Sequence, residues 1–170
     1  MGTSTVSGPW VSQNGFIGNL TGNVTGNVTG DVTGDVTGVV NAGVATTEVV
    51  LATNVITAAE SGTTFFLSAA AGFASTLPVP AVGLEFSFVV LTPPTSNGYT
   101  ILTNASGNVM SGTHSVTATG GGTAIAGADT ITIVHNSAVL GDRVDVICDG
   151  TNWCVTAAST LKASITSTAT

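Results

Sequence analysis

GDRVDVICDGTNWCV, residues 141–155, reads as two strands and the turn between them. Val144, Val146 and Cys148 share a face on the way in, Trp153 and Val155 share one on the way out, and Asp149-Gly150 supplies the turn. A loop of two or four residues brings both apolar sets to one side, because side chains alternate with a period of two. In that register Cys148 points inward and Cys154 outward, so no bridge between them is expected. Two free thiols suit assembly in a reducing cytosol.

The same alternation extends upstream. Leu84, Phe86, Phe88 and Val90 line one face of a strand over residues 84–91, with Glu85 and Ser87 opposite, and Pro93-Pro94 ends it. Asp129 to His135 alternates again, Ile131 and Ile133 against Thr130 and Thr132, which puts His135 at the edge of the core. Further strands are expected at Glu48 to Thr53, Thr63 to Ser68, Phe73 to Leu77 and Tyr99 to Thr103, with Gly, Pro and Asn signals between them. That punctuation, roughly every 8 to 12 residues, is the pattern of a sandwich or barrel. Residues 47–158 are therefore expected to form an antiparallel β-sandwich, jelly-roll-like head in an all-β protein. Gly120 to Gly122 read as loop, and His114 sits in a Gly/Ser/Thr stretch.

Ahead of the head stands a repeat, GNLTGNVTGNVTGDVTGDVT, residues 18–37. A period of four fits neither the 3.6-residue helical turn nor the poor helix propensity of Gly, Thr and Val, but it equals two steps of an extended chain. Leu20, Val24, Val28, Val32 and Val36 then form one apolar column. Five aliphatic side chains do not offset the entropy of ordering some twenty residues, so partners must supply the difference. The expected partners are identical chains: an intertwined shaft over residues 18–40, extended or β-helical, in a homotrimer with the column turned inward. Asn19, Asn23, Asn27, Asp31 and Asp35 make a polar column opposite; with neither an EF-hand nor an RTX pattern it reads as a solvated face, and no metal is expected.

Residues 1–17 form an arm in which Trp10, Phe16 and Ile17 are large apolar groups without a local core, hence candidates for anchoring to a partner. Residues 41–46 read as a neck and residues 159–170 as a polar tail. The N-terminus MGTSTVSGPW has neither a basic nor an apolar export region, and no apolar run is long enough to span a membrane.

Composition narrows the function further. Charged residues are 6%, with two Lys plus Arg against nine Asp plus Glu and a net charge of −7. No basic residue precedes Arg143, which argues against phosphate, nucleic acid and anionic membranes as partners. No Ser-His-Asp or Cys-His arrangement has a local signature, and the Gly120 to Gly122 run lacks the Lys of a phosphate loop. The expectation is a non-enzymatic structural protein without a cofactor.

Four stretches taken together resemble a known family. TTFFLSAAAGFASTLPVPAVGLEFSF (63–88), TSNGYTI (95–101), ADTITI (128–133) and the hairpin at 141–155 resemble, in order, a family of virion structural proteins of tailed bacteriophages. The Gly-Asn/Asp-Val-Thr repeat is similar to shafts of phage fibre and capsid-decorating proteins. The resemblance implies a β-sandwich head, trimerisation and a place on the capsid surface of the virion, after synthesis in the host bacterial cytoplasm. It carries no catalytic residue. A capsid decoration or cement protein would dock on the major capsid protein or another virion protein through its arm and shaft, with the head facing solvent. A short head or tail fibre, an adhesin binding a host-surface glycan, is the alternative.

Overall fold

The computed structural model describes residues 46–105, 107–118 and 121–169. The arm, the shaft and nearly all of the neck lie outside the described residues, and with them Trp10, Phe16, Ile17, Leu20, Val24, Val28, Val32 and Val36.

The described chain is all-β, built from twelve strands: β1 Thr47–Val50, β2 Asn54–Val55, β3 Thr63–Ser68, β4 Ala74–Thr76, β5 Glu85–Thr92, β6 Tyr99–Leu102, β7 Met110–Val116, β8 Gly121–Ala128, β9 Thr130–Ile133, β10 Arg143–Cys148, β11 Trp153–Ser159 and β12 Ile165–Thr168. They form a seven-stranded sheet, β1-β3-β5-β10-β11-β7-β8, and a five-stranded sheet, β12-β9-β6-β4-β2. The buried faces of both contribute to one hydrophobic cluster. Phe65 stacks on Phe88 with ring centroids 5.4 Å apart, and Phe86 meets Trp153 at 6.0 Å, so aromatic contact crosses the larger sheet. The Trp153 indole N–H, fully buried, has no hydrogen-bond partner among the described residues.

Both sheets are mixed, which corrects the expectation of an antiparallel, jelly-roll-like head. β1, β3 and β5 run parallel in the larger sheet, and β2, β4 and β6 run parallel in the smaller one. The physical reason is the route of the chain. From β1 to β6 it alternates between sheets, and each crossing and return brings it back in the same direction, as in a flattened β-solenoid. The antiparallel pairs come from the later strands: β10 with β5 and β11, β7 with β8, and β9 with β6 and β12.

Tight crossings need particular residues. Gly72, at φ +65°, lies in the crossing from β3 to β4, and a Cβ there would collide with the carbonyls of Asn97 and Gly98. Tyr99 fixes the crossing from β5 to β6. Its hydroxyl accepts from the Ala69 N–H at 2.7 Å and lies within donating reach of the carbonyls of Thr92 (2.7 Å) and Ala69 (2.8 Å).

The 141–155 hairpin forms as read. Cys148 pairs with Trp153 across a four-residue loop, and Val146 with Val155. Asp149 Oδ1 accepts from the N–H groups of Thr151 (2.8 Å) and Asn152 (2.7 Å), which closes the loop. Cys148 is buried, Cys154 is exposed, and both are free.

Three readings change. Met110–Val116 and Gly121–Ala128 are paired strands, so Gly121 and Gly122 are not loop. His135 is exposed rather than at the core edge: β9 stops at Ile133 and the chain turns through Asn136, whose φ is +58° and whose N–H bonds the Pro94 carbonyl. Residues read as a tail are built into the sheets, since β12 pairs with β9 from Ile165↔Ile133 to Thr168↔Thr130.

Candidate functional site

Strand register places one polar residue in an otherwise apolar row. Across the buried face of the larger sheet, Phe65 pairs with Phe88, Phe88 with Val144, Val144 with Ala157, and Ala157 with His114. His114 is only 2% exposed. The small Ala157 beside it leaves space for an imidazole, and Ser159, two residues along the same face of β11, supplies its partner.

His114 Nε2 lies 2.7 Å from Ser159 Oγ, which lies 2.7 Å from the Leu161 carbonyl. A carbonyl only accepts, so the single serine proton goes to Leu161, and Ser159 must accept from the ring. That assigns the imidazole N–H to Nε2 and leaves the lone pair on Nδ1. Burial holds the imidazole below its ordinary 6.5; Asp142 opposes that effect and Lys162 adds to it.

Asp142, also buried, completes an acid, a histidine and a serine in one neighbourhood. Its carboxylate is spent on backbone, Oδ1 accepting from the Thr160 N–H (3.0 Å) and Oδ2 from the Val139 N–H (3.1 Å). With the serine proton directed away from His114, this arrangement braces the ends of β10 and β11 and does not present an activated nucleophile. Sequence reading missed the cluster because its members lie far apart in the chain. The local signal was there: Met110, His114 and Val116 are spaced by even steps and all point inward.

His114 opens on a cleft of about 250 Å³ between β8 and β12, the edge strands of the two sheets. A second cleft, about 260 Å³, lies on the outer face of the larger sheet among Thr63, Glu85, Ser87, Arg143, Asp145 and Ile147. Three of its polar groups satisfy one another: Asp145 Oδ1 accepts from Arg143 Nη2 (2.6 Å) and from Ser87 Oγ (2.7 Å). The hydrogen bond that Arg143 donates to Asp145 raises the guanidinium pKa above its ordinary value.

The outer face of the larger sheet also carries an apolar row. Val49 of β1 pairs with Phe66 of β3, and Phe66 with Val89 of β5. Val49 is 54% exposed, Leu91 further along β5 is 42% exposed, and Phe66 and Val89 are half-buried. The neighbouring row on the same face, Thr47, Thr64, Ser87 and Asp145, is polar. Among the described residues β1 is an edge strand, so this row ends at a rim of the sheet that none of them pairs.

Among the described residues no group of three or more His, Cys, Asp or Glu is arranged to hold a metal ion, and no helix is long and apolar enough to cross a membrane. In comparison with known proteins, the chain matches no family model, no curated protein and no solved structure.

Proposed function

We propose that this chain is a structural protein of a bacteriophage virion, a capsid decoration protein that trimerises and reinforces the shell. The observation that carries the reading is the row Val49–Phe66–Val89 beside β1, an edge strand among the described residues. An apolar row on a free sheet edge favours contact with another protein, and in a chain with two basic side chains that contact is governed by shape and apolar burial more than by charge. The row gives the head a place to meet a neighbouring copy. The repeat column Leu20, Val24, Val28, Val32 and Val36 gives the N-terminal segment another, and Trp10, Phe16 and Ile17 are the proposed anchors to the major capsid protein or another virion protein.

The test is the number of copies per particle, read from a gel of purified virions calibrated against the major capsid protein. Hundreds of copies support decoration of the shell. A few dozen or fewer move the chain to a fibre or collar, and absence from purified virions ends the virion reading.

A further inference from the structure

The chain has two basic side chains, and the structure uses them differently. Arg143 is engaged by Asp145, whereas Lys162 forms no ion pair among the described residues. Lys162 lines the cleft between β8 and β12 and is exposed there. His114 lines the same cleft from within; its Nε2–H is committed to Ser159, and its Nδ1 has no hydrogen-bond partner among the described residues. A cation at the rim and an acceptor nitrogen beneath it thus line one cleft without a protein partner among the described residues. The remaining walls combine hydroxyls, Thr123 and Thr166 among them, with the apolar side chains of Ile125 and Ile165.

We propose that this cleft binds a small hydroxylated carboxylate, the chemical class of the uronic acids. Lys162 recognises the carboxylate, since among the described residues it is the basic side chain that forms no ion pair. His114 Nδ1, an acceptor, requires a donor from the ligand, and a hydroxyl next to the carboxylate meets it. A plain carboxylate such as acetate leaves Nδ1 unpaired, and a neutral sugar leaves Lys162 unpaired. At about 250 Å³ the cleft lies just below the roughly 300–1,000 Å³ typical of sites for drug-sized ligands, room for a ligand about the size of one sugar ring. Ile125 and Ile165 offer an apolar surface for the C–H face of such a ring. This site is independent of the contacts proposed for assembly: it lies at the β8 and β12 edges, and the apolar row lies at the β1 edge.

The experiment is calorimetric titration of the full chain with sodium glucuronate, with acetate and glucose as controls at matched ionic strength. A disaccharide carrying the uronate at its non-reducing end separates a free acid from a glycan terminus as the source of the ligand. Saturable binding of glucuronate is expected with Kd on the order of 1 mM, and both controls are expected to bind about tenfold more weakly or worse. Lys162→Gln should weaken glucuronate by about tenfold or more, the range of one charge-assisted hydrogen bond. Thr123→Phe, paired with His114 and on the same face of the sheet, fills the cleft without touching charge and should abolish binding; both positions are exposed, so the fold tolerates either change. In nitrogen NMR the His114 Nδ1 resonance should move on saturation with glucuronate and stay in place with acetate. The proposal is overturned by equal affinity for glucuronate and acetate, by unchanged binding in either variant, or by an Nδ1 resonance that stays in place at saturation.

Discussion

At the scale of single residues, two buried polar side chains hold parts of the head that apolar contact alone does not. Tyr99 is 1% exposed, its ring meets Phe73 edge-on at 4.9 Å, and its hydroxyl serves the backbone of Ala69 and Thr92. Burial raises its pKa above the ordinary 10.0, with the Ala69 backbone bond opposing, so the phenol stays protonated and able to donate at neutral pH. Tyr99→Phe keeps the ring and removes the only side-chain partner of those groups. Its expected cost is about 1–3 kcal/mol, read as a lower urea midpoint at unchanged slope. His114 makes a different prediction. Because its folded pKa lies below 6.5, the unfolded chain binds a proton near that pH while the folded chain does not. Stability is therefore full above pH 6.5 and falls as the pH drops below it, until the folded imidazole also protonates. Urea midpoints taken between about pH 7.5 and about pH 5 should decline, and less steeply in His114→Gln; identical slopes would remove His114 as the cause. Asp149, held below its ordinary 3.8 by backbone bonds from Asn152 and then Thr151, adds a further loss at lower pH, where its carboxylate protonates and releases the loop.

At the scale of elements, the strands differ in how many neighbours hold them, and their opening should follow that order. β5, β10 and β11 are flanked on both sides in the larger sheet, while β1 and β2 are edge strands of four and two residues. Native-state hydrogen exchange of the unassembled chain should find the slowest amides in β10 and the fastest in β2, with β1 slowing on assembly if its rim meets another copy. Equal protection of β1 and β10 in a monomeric sample would contradict the edge assignment. The same contrast marks what the sequence could tell. Strong alternation with β-branched or aromatic residues made β3, β5, β9 and the β10–β11 hairpin legible, since each has one face in the core. β7 and β8, reading MSGTHSV and GGTAIAGA, stayed hidden: Gly, Ser and Ala are weak strand formers, and pairing of β7 with β11, and of β8 with β7, holds them in place. Strand direction was not legible either. Period-two patterning fixes which side chains face inward but not whether a neighbour runs parallel, and the parallel rungs from β1 to β6 repeat no sequence motif that would betray them. His114, Ser159 and Asp142 were unreadable as a group because only the register of β11 on β7 brings the first two together.

At the scale of the whole molecule, two sets of apolar residues ask for partners: the Val/Leu column of the repeat and the row Val49–Phe66–Val89 on the head. The repeat column holds no basic residue, and among the described residues the one ion pair bordering the head row, Arg143 opposite Val89, is satisfied internally by Asp145. Association through these surfaces should therefore persist at high ionic strength and weaken when a charge is buried in them. Sedimentation of the full chain should give the mass of a trimer. Val28→Asp, placing a carboxylate in the column where the copies are proposed to meet, should shift the distribution to lower mass while the head keeps its thermal midpoint. Val89→Lys, at a half-buried position on the outer face, tests the head row separately and should also lower the mass. If Val28→Asp dissociates the assembly and Val89→Lys does not, the repeat holds the copies together and the head row is left for the shell. If only Val89→Lys acts, the shaft reading fails and assembly belongs to the head. A wild-type chain that sediments as a monomer at concentrations well above those in an infected cell would remove self-association altogether, and with it the proposal that this protein reinforces a capsid as a trimer.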